Sequence, residues 1–99
     1  MFVQRKKVEI IIEVVKIPKI IRLIDALGIS GYSLIHNVEG RGVHGMCDAQ
    51  EVTDVLSNDY ILIICSPEEA MRLLDEVAPI LKKFGGICYV SDVSLLKLE

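Results

Sequence analysis

The chain has 99 residues with 14 acidic and 11 basic side chains, so its formal charge is −3. A chain of this length can build one domain with one core but not two, and we expect a single domain over residues 1–99. The near balance of charge excludes a protein whose whole surface attracts nucleic acid.

The apolar content of the chain is high. Apolar residues make up 52% of the sequence, and the mean hydropathy is +0.46. No apolar run approaches the roughly 20 residues of a membrane-spanning helix, and residues 1–7 lack the apolar stretch of a signal peptide. The odd number of cysteines, without zinc-knuckle spacing, favours a reducing compartment. We therefore expect a cytoplasmic homo-oligomer that buries its surplus apolar surface between subunits.

The first elements are a strand and a helix. Residues 8–15 are rich in β-branched side chains that alternate with Glu9 and Glu13, which predicts a strand. Residues 17–27 repeat isoleucine and leucine at helical spacing, with Pro18 in the first turn, and predict a short amphipathic helix. Solvated or edge positions are expected for the two glutamates.

Two strands flank a long loop. Residues 32–38 alternate and predict a second strand, on which His36 is expected to be a hydrogen-bonded structural histidine rather than a ligand. Residues 60–65 are continuously apolar and predict a strand that is covered on both faces. Residues 39–57 between them show no core periodicity, and loops of this length in small domains usually carry function.

A second helix follows the third strand. Ser66 is predicted as its N-cap, with Pro67 in the first position and Glu69 completing a capping box. Pro79 lies inside the apolar pattern and is expected to kink the helix or divide it near Ala78.

The order of elements predicts the fold. Residues 87–90 form a last predicted strand, and residues 93–96 add a short C-terminal piece. Strand, helix, strand, strand, helix, strand is the order of an α+β fold, a ferredoxin-like βαββαβ sandwich with a long loop after strand 2. Both helices then cover one sheet face. Apolar residues on the other face, such as Ile11, Val15 and Ile35, need a partner, and a trimer with three inward-facing sheets would bury them.

The loop begins with a glycine motif. Gly40, Gly42 and Gly45 match the spacing G-x-G-x-x-G, but no helix opens on them as a dinucleotide fold requires. Glycine N–H groups can still form a nest for an anion, flanked here by Arg41 and His44. The alternative is a glycine-rich loop root with a solvated arginine.

Three motifs together resemble a known family. Gly31-Tyr32-Ser33-Leu34-Ile35 and Val38-Glu39-Gly40-Arg41-Gly42-Val43-His44-Gly45 resemble the PII signalling superfamily. Phe84-Gly85-Gly86-Ile87-Cys88-Tyr89-Val90 resembles its PII-like branch, which is associated with bicarbonate transport and carbon metabolism. The resemblance covers residues 6–95 and implies trimers that bind adenine nucleotides in clefts between subunits.

The resemblance also implies which residues bind the ligand. They lie at the loop root and before the last strand, and they are Gly40, Arg41, Gly42, His44, Phe84, Gly85 and Gly86. The glycines would donate backbone N–H groups, and Arg41 would contact phosphate or carboxylate. The chain departs from the family in its short Gly85-Gly86 segment and in having only Lys97 as a base near the C-terminus. These departures favour AMP or ADP over ATP, and they are compatible with bicarbonate.

The implied function is regulation without catalysis and without a covalent cofactor. The protein would sense an adenine nucleotide or bicarbonate and act on a membrane transporter or a metabolic enzyme through residues 39–57, with recruitment to the membrane when the partner is a transporter. The alternatives are a CutA-type metal-binding trimer, with His44, Cys47 and Asp48 as candidate ligands, and a constitutive protein-interaction module. An acylphosphatase-like enzyme is not expected, because the turn after the first strand has no arginine and no nucleophile–base pair is found.

Overall fold

The computed structural model describes residues 1–40 and 57–98. They form one four-stranded sheet in the order β2-β3-β1-β4, in which all neighbouring strands are antiparallel. The elements in chain order are β1 (Phe2–Glu13), a 3-10 turn (Val14–Lys16), α1 (Ile17–Ala26), β2 (Ser33–Val38), β3 (Asn58–Cys65), α2 (Pro67–Phe84) and β4 (Ile87–Leu96). This order and topology confirm the predicted ferredoxin-like α+β fold.

The core lies between the two helices and one face of the sheet. On this face alternate residues of β1 and β3 are fully buried, because the side chains of a strand point to opposite faces in turn. The sheet contributes Val8, Ile10, Ile12, Ile61, Ile63 and Cys65. The helices contribute Ile17, Ile20, Ile24, Ala70, Leu73, Val77 and Ile80. Both helices therefore cover the same face, as the sequence predicted.

β1 and β4 are longer than the sequence pattern indicated. β1 begins at Phe2 rather than at residue 8, and β4 runs without a break to Leu96. The two strands pair from Phe2 opposite Leu96 to Ile11 opposite Ile87. Backbone pairing extends each strand past its apolar part, and a salt bridge between Lys6 and Asp92 joins them within the polar part.

The second helix confirms its predicted start but not its predicted division. Ser66 Oγ accepts from Glu69 N at 3.1 Å, and Ser66 N donates to Glu69 Oε1 at 2.9 Å, so the capping box is complete. The helix continues through Pro79 to Phe84. Pro79 has no N–H group, so the carbonyl of Asp75 loses its usual helical donor. Both residues are exposed, and water can satisfy that carbonyl without a break in the helix.

The other face of the sheet has no covering element among the described residues. We call it the open face and define it by Arg5, Lys7, Glu9, Ile11, Ser33, Ile35, Tyr60, Leu62, Ile64, Tyr89 and Leu95. Ile35 is 55% exposed and Tyr89 is 51% exposed. The unpartnered apolar face that the sequence predicted is therefore present.

A polar group lies in the middle of the open face. Tyr60 Oη donates to Glu9 Oε2 at 2.7 Å, and Lys7 Nζ lies 3.8 Å from Glu9 Oε1. The solvated or edge position expected for Glu9 is wrong, because β1 is an inner strand and the Glu9 side chain is 23% exposed. The hydrogen bond to Glu9, with smaller contributions from burial and from the Glu9 charge, raises the pKa of Tyr60 to about 12.

Two cysteines lie on the helix-covered face. Cys65 ends β3 and is buried, and Cys88 near the start of β4 is half-buried; neither forms a disulfide. Burial raises the pKa of both thiols, and at Cys65 the charge of Glu69 adds to this effect. Both therefore act as small apolar side chains.

Candidate functional site

The strand ends define two ends of the sheet. At one, which we call the loop end, β1 and β2 finish while β3 and β4 begin: Asn58 faces both Val38 and Glu13, and Ile87 faces Ile11. At the other, the far end, β3 and β4 finish while β1 and β2 begin. Residues 39 and 40 leave the sheet at the loop end, and Gly85-Gly86 enters it there.

The predicted ligand residues that the structure describes therefore share the loop end. Gly40 is exposed two residues beyond β2, and Phe84 is the last residue of α2. β2 and β4 are the two edge strands, so three strand spacings, about 14 Å, separate their ends. The fold thus brings Gly40 and Gly85-Gly86 to one end without direct contact. Arg41, Gly42 and His44 lie outside the described residues.

Gly85 and Gly86 connect α2 to β4 in a conformation that needs glycine. Their φ angles are +86° and +118°. A Cβ on Gly86 would lie 2.8 Å from Leu81 Cδ2 and 2.9 Å from the carbonyl oxygen of Ile11. Gly85 N donates to the carbonyl of Leu81 at 2.8 Å. The backbone of this connection packs directly against β1 and the last turn of α2, which leaves no room for a side chain on Gly86.

A buried carboxylate fixes the backbone where the chain leaves β2. Asp59, 1% exposed, accepts from Asn37 N at 3.1 Å through Oδ1 and lies 2.9 Å from His36 Nδ1 through Oδ2. Asn37 has a φ of +62°, and the register between β2 and β3 shifts at this point. We call His36, Asn37 and Asp59 the loop-root clip. The hydrogen bond to Asp59 gives His36 the structural role that the sequence predicted. The role of Asp59 could not be predicted, because in the sequence it is only a polar residue that precedes an apolar run.

Two ammonium groups flank Phe84. Lys16 Nζ lies 3.6 Å from the centroid of the Phe84 ring, and Lys83 Nζ lies 5.2 Å from the same centroid. Both distances are within the range of cation–π contacts. These lysines were not predicted, because one precedes α1 and the other ends α2, and only the fold brings them together.

A cavity of about 430 Å³ lies at the far end, on the open face. Its lining comes from all four strands and from the connection between α1 and β2, and consists of Arg5, Ser30, Gly31, Tyr32, Ser33, Leu62, Ile64 and Leu95. The lining combines polar residues, among them Arg5, Ser30 and Ser33, with the aliphatic side chains of Leu62, Ile64 and Leu95, a combination typical of ligand pockets. The cavity could not be predicted from the sequence, because no local motif connects residues from five segments.

Within residues 1–40 and 57–98, no three His, Cys, Asp or Glu side chains form a group that could hold a metal ion. The candidate ligands His44, Cys47 and Asp48 lie outside that part of the chain. The described helices also include none that is both long and apolar enough to span a membrane.

Comparison with known families identifies the chain. A family model described as "Nitrogen regulatory protein P-II" matches residues 5–99. The chain belongs to the P-II family. This confirms the resemblance to the PII superfamily that the loop-root and Phe84-Gly85-Gly86 motifs indicated. None of the curated proteins matches the chain.

Solved structures agree with this P-II membership. The chain is 25% identical to CPII, a nitrogen regulatory PII-like protein from Thiomonas intermedia K12 bound to ADP, AMP and bicarbonate, with a TM-score of 0.83 and coverage of 100% of both chains. A CPII structure with ADP and bicarbonate is 27% identical, with a TM-score of 0.81 and coverage of 98% of this chain and 93% of that chain. A Thermus thermophilus protein described as PII-like is 24% identical, with a TM-score of 0.75 and coverage of 96% and 91%.

Proposed function

We propose that this P-II family chain is a non-enzymatic regulator that binds AMP or ADP, and bicarbonate, in clefts between the subunits of a homotrimer. It then acts on a membrane transporter or a metabolic enzyme through residues 39–57. Family membership over residues 5–99 supports the regulatory role. The observation that carries the binding mode is the presence of two candidate half-sites at opposite ends of one sheet.

The two half-sites lie at opposite ends of the sheet within one protomer. The loop end carries Gly40 and Gly85-Gly86, and the far end carries the cavity. Along β3 the strand rises about 13 Å from Asn58 to Leu62 and about 20 Å from Asn58 to Ile64, the two cavity residues on this strand. A cleft between subunits would place the loop end of one protomer against the far end of its neighbour, so that together they complete the site.

The open face supports the assembly that such a cleft requires. Ile35, Tyr89 and Leu95 on this face are 55%, 51% and 46% exposed in one protomer, and large side chains exposed together on an uncovered sheet face favour an interaction site. Closed symmetric assembly would bury this face in every subunit at once. The cavity lies on the same face, so its walls would be completed by the neighbouring chain.

The chemistry of the cavity suits a purine. Leu62 and Ile64 offer aliphatic contact to a base, and the Gly31–Ser33 backbone offers hydrogen-bond donors and acceptors to its edge. The related CPII structures contain ADP, AMP and bicarbonate, which supports these ligands here. A bicarbonate ion would require N–H donors such as those predicted at the loop-root glycines.

Calorimetric titration with AMP, ADP, ATP and cyclic AMP, each with and without bicarbonate, tests the proposed binding. We expect micromolar binding of AMP or ADP that is lost in Arg41→Ala. Arg22→Ala is the matched control, because Arg22 is exposed on α1 and its substitution removes the same charge. If the wild-type protein binds none of these ligands, the nucleotide-sensing proposal is wrong.

Trypsin cleavage tests the link between ligand and loop. Arg41 is the only lysine or arginine in residues 39–57, so cleavage after it reports access to this segment. We expect saturating AMP or ADP to slow this cleavage without changing cleavage after Lys97. Equal cleavage rates with and without a ligand that calorimetry shows to bind would contradict a role of the loop in the response.

A further inference from the structure

Lys16 and Lys83 form a small positively charged cluster that is not among the proposed ligand residues. Both ammonium groups lie against the ring of Phe84, at 3.6 Å and 5.2 Å from its centroid. They are therefore within about 9 Å of each other, which is less than the Debye length of roughly 10 Å at 0.1 M salt. Their charges act together on a nearby anion.

The described part of the fold does not neutralise this cluster. The three salt bridges among the described residues involve Lys6, Lys7 and His36, and no described carboxylate pairs with Lys16 or Lys83. Two like charges that share one ring repel each other, and an anion bound near both of them would offset that repulsion.

Helix electrostatics explain only one of the two lysines. Lys83 lies in the last turn of α2, where a cation interacts favourably with the helix dipole. Lys16 ends the short 3-10 turn but is also the N-cap of α1, whose first turn contains no acidic residue, and a cation is unfavourable at the start of this longer helix. A site that attracts an anion would account for the position of Lys16.

The cluster is adjacent to a predicted ligand segment. Phe84 is followed directly by Gly85-Gly86, and Lys16 closes the turn that follows β1 at the loop end. Val14, in the same turn, donates its N–H to the carbonyl of Ser57 at 2.9 Å, which ties the turn to the segment that precedes β3. The two ammonium groups thus lie at the end of the sheet where the glycines would contact the ligand.

We propose that Lys16 and Lys83 bind the phosphate groups of the nucleotide, with the Phe84 ring holding both ammonium groups in position beside Gly85-Gly86. The inference rests on the proposed function and adds to it the residues that neutralise phosphate charge. An ammonium over an aromatic face keeps N–H donors free for an anionic oxygen, and such charge-assisted bonds are stronger than neutral ones. Specificity for a phosphorylated ligand over the bare nucleoside would follow.

Titration of the full chain with ADP, adenosine and inorganic pyrophosphate tests the assignment, using Lys16→Gln, Lys83→Gln and the double variant. We expect each single substitution to weaken ADP and pyrophosphate binding about tenfold, and to leave adenosine binding within about twofold. Lys19→Gln on α1 and Lys82→Gln on α2 are the matched controls, since each removes one exposed lysine close in sequence to Lys16 or Lys83. Lys16→Arg should retain ADP binding, because it keeps the positive charge and a guanidinium group can also lie over an aromatic ring.

Salt dependence provides a second readout. Raising the salt concentration should weaken ADP binding less in the double variant than in the wild type, because fewer charged contacts remain to be screened. Thermal melting confirms that the variants are folded.

The outcomes separate the two proposals. If the wild type binds ADP and the Lys16 and Lys83 variants weaken it no more than the controls do, the phosphate assignment is wrong and the nucleotide-binding proposal stands. If no nucleotide binds but pyrophosphate binds in a Lys16-dependent manner, the nucleotide proposal fails and the cluster is a phosphate site. If neither ligand binds, both proposals fail.

Discussion

Asp59 controls the geometry at the point where the chain leaves β2. Both oxygens of its buried carboxylate are used, one by Asn37 N at 3.1 Å and the other by His36 at 2.9 Å. Asn37 is held at a φ of +62°, a conformation that is uncommon for residues other than glycine. The carboxylate therefore offsets local backbone strain and fixes the direction in which residues 39 and 40 leave the sheet.

Removal of this carboxylate should destabilise the fold and loosen the loop root. We expect Asp59→Ala to lower the free energy of unfolding by about 1–3 kcal/mol, because Asn37 N loses its acceptor. Asp59→Asn, which keeps the volume and one acceptor oxygen, should cost less. Urea denaturation measures both, with Asp92→Ala as control because its side chain is 76% exposed. Equal losses in Asp59→Ala and Asp92→Ala would contradict the role of the clip.

Tyr60 makes the stability depend on pH in the alkaline range. Its pKa is raised from the ordinary value of 10.0 to about 12, because its hydroxyl donates to Glu9. The folded state therefore holds the proton more tightly than the unfolded state, so the contribution to stability is complete below pH 10 and is lost as the pH rises toward 12. Tyr60→Phe should show a shallower loss of stability over this range than the wild type or Tyr89→Phe.

At the scale of elements, the connection between α2 and β4 depends on close backbone packing. We expect Gly86→Ala to lower the free energy of unfolding by about 1–3 kcal/mol, since its Cβ would lie 2.9 Å from the Ile11 carbonyl oxygen at a φ of +118°. Gly31→Ala is the control, because a Cβ there meets nothing within 4 Å. Chemical denaturation distinguishes the two. A Gly86→Ala protein as stable as the Gly31→Ala protein would show that the connection can relax.

The types of the elements could be predicted from the sequence, but some of their lengths could not. Hydrophobic periodicity and the Ser66 capping box act locally, so they indicate α1 and α2 without knowledge of the fold. The first residues of β1 carry Arg5, Lys6 and Lys7, and their pairing with the neighbouring strands, rather than any apolar pattern, makes them part of a strand. Pro79 was expected to kink α2 or divide it. The helix is not divided, because the Asp75 carbonyl that loses its helical donor is exposed to water.

The candidate site was predictable only in part for the same reason. Gly40 and Gly85-Gly86 stand in local motifs, and sequence analysis therefore singled them out. Asp59, the Lys16–Lys83 cluster and the far-end cavity are assembled from segments that are distant in sequence. Their roles depend on strand order and register, which no single segment encodes.

At the scale of the whole molecule, we expect the open face to be the surface through which the proposed trimer assembles. Ile35 is 55% exposed and lies opposite Tyr60, in a part of the sheet that the proposed trimer would bury. With an arginine at position 35, assembly would bury a charged group without a partner, which is unfavourable. We expect Ile35→Arg to convert a trimer into monomers of 11.0 kDa, as measured by sedimentation.

Met71→Arg provides the control for this experiment. Met71 is 69% exposed on α2, away from the open face, so its substitution removes an exposed apolar side chain and adds the same charge. It should leave the assembly unchanged. Dissociation by both variants, or by neither, would show that the open face is not the surface that joins the subunits.

The positions of the two described cysteines give the sheet an internal chemical reporter. Cys65 lies in an inner strand and Cys88 in an edge strand, and burial keeps both as protonated thiols. Because the thiolate is the reactive form, an alkylating reagent reacts with buried Cys65 only as the packing opens and with half-buried Cys88 more readily. Modification of Cys88 alone marks fraying at one edge, whereas simultaneous modification of both sulfurs marks the loss of the whole fold.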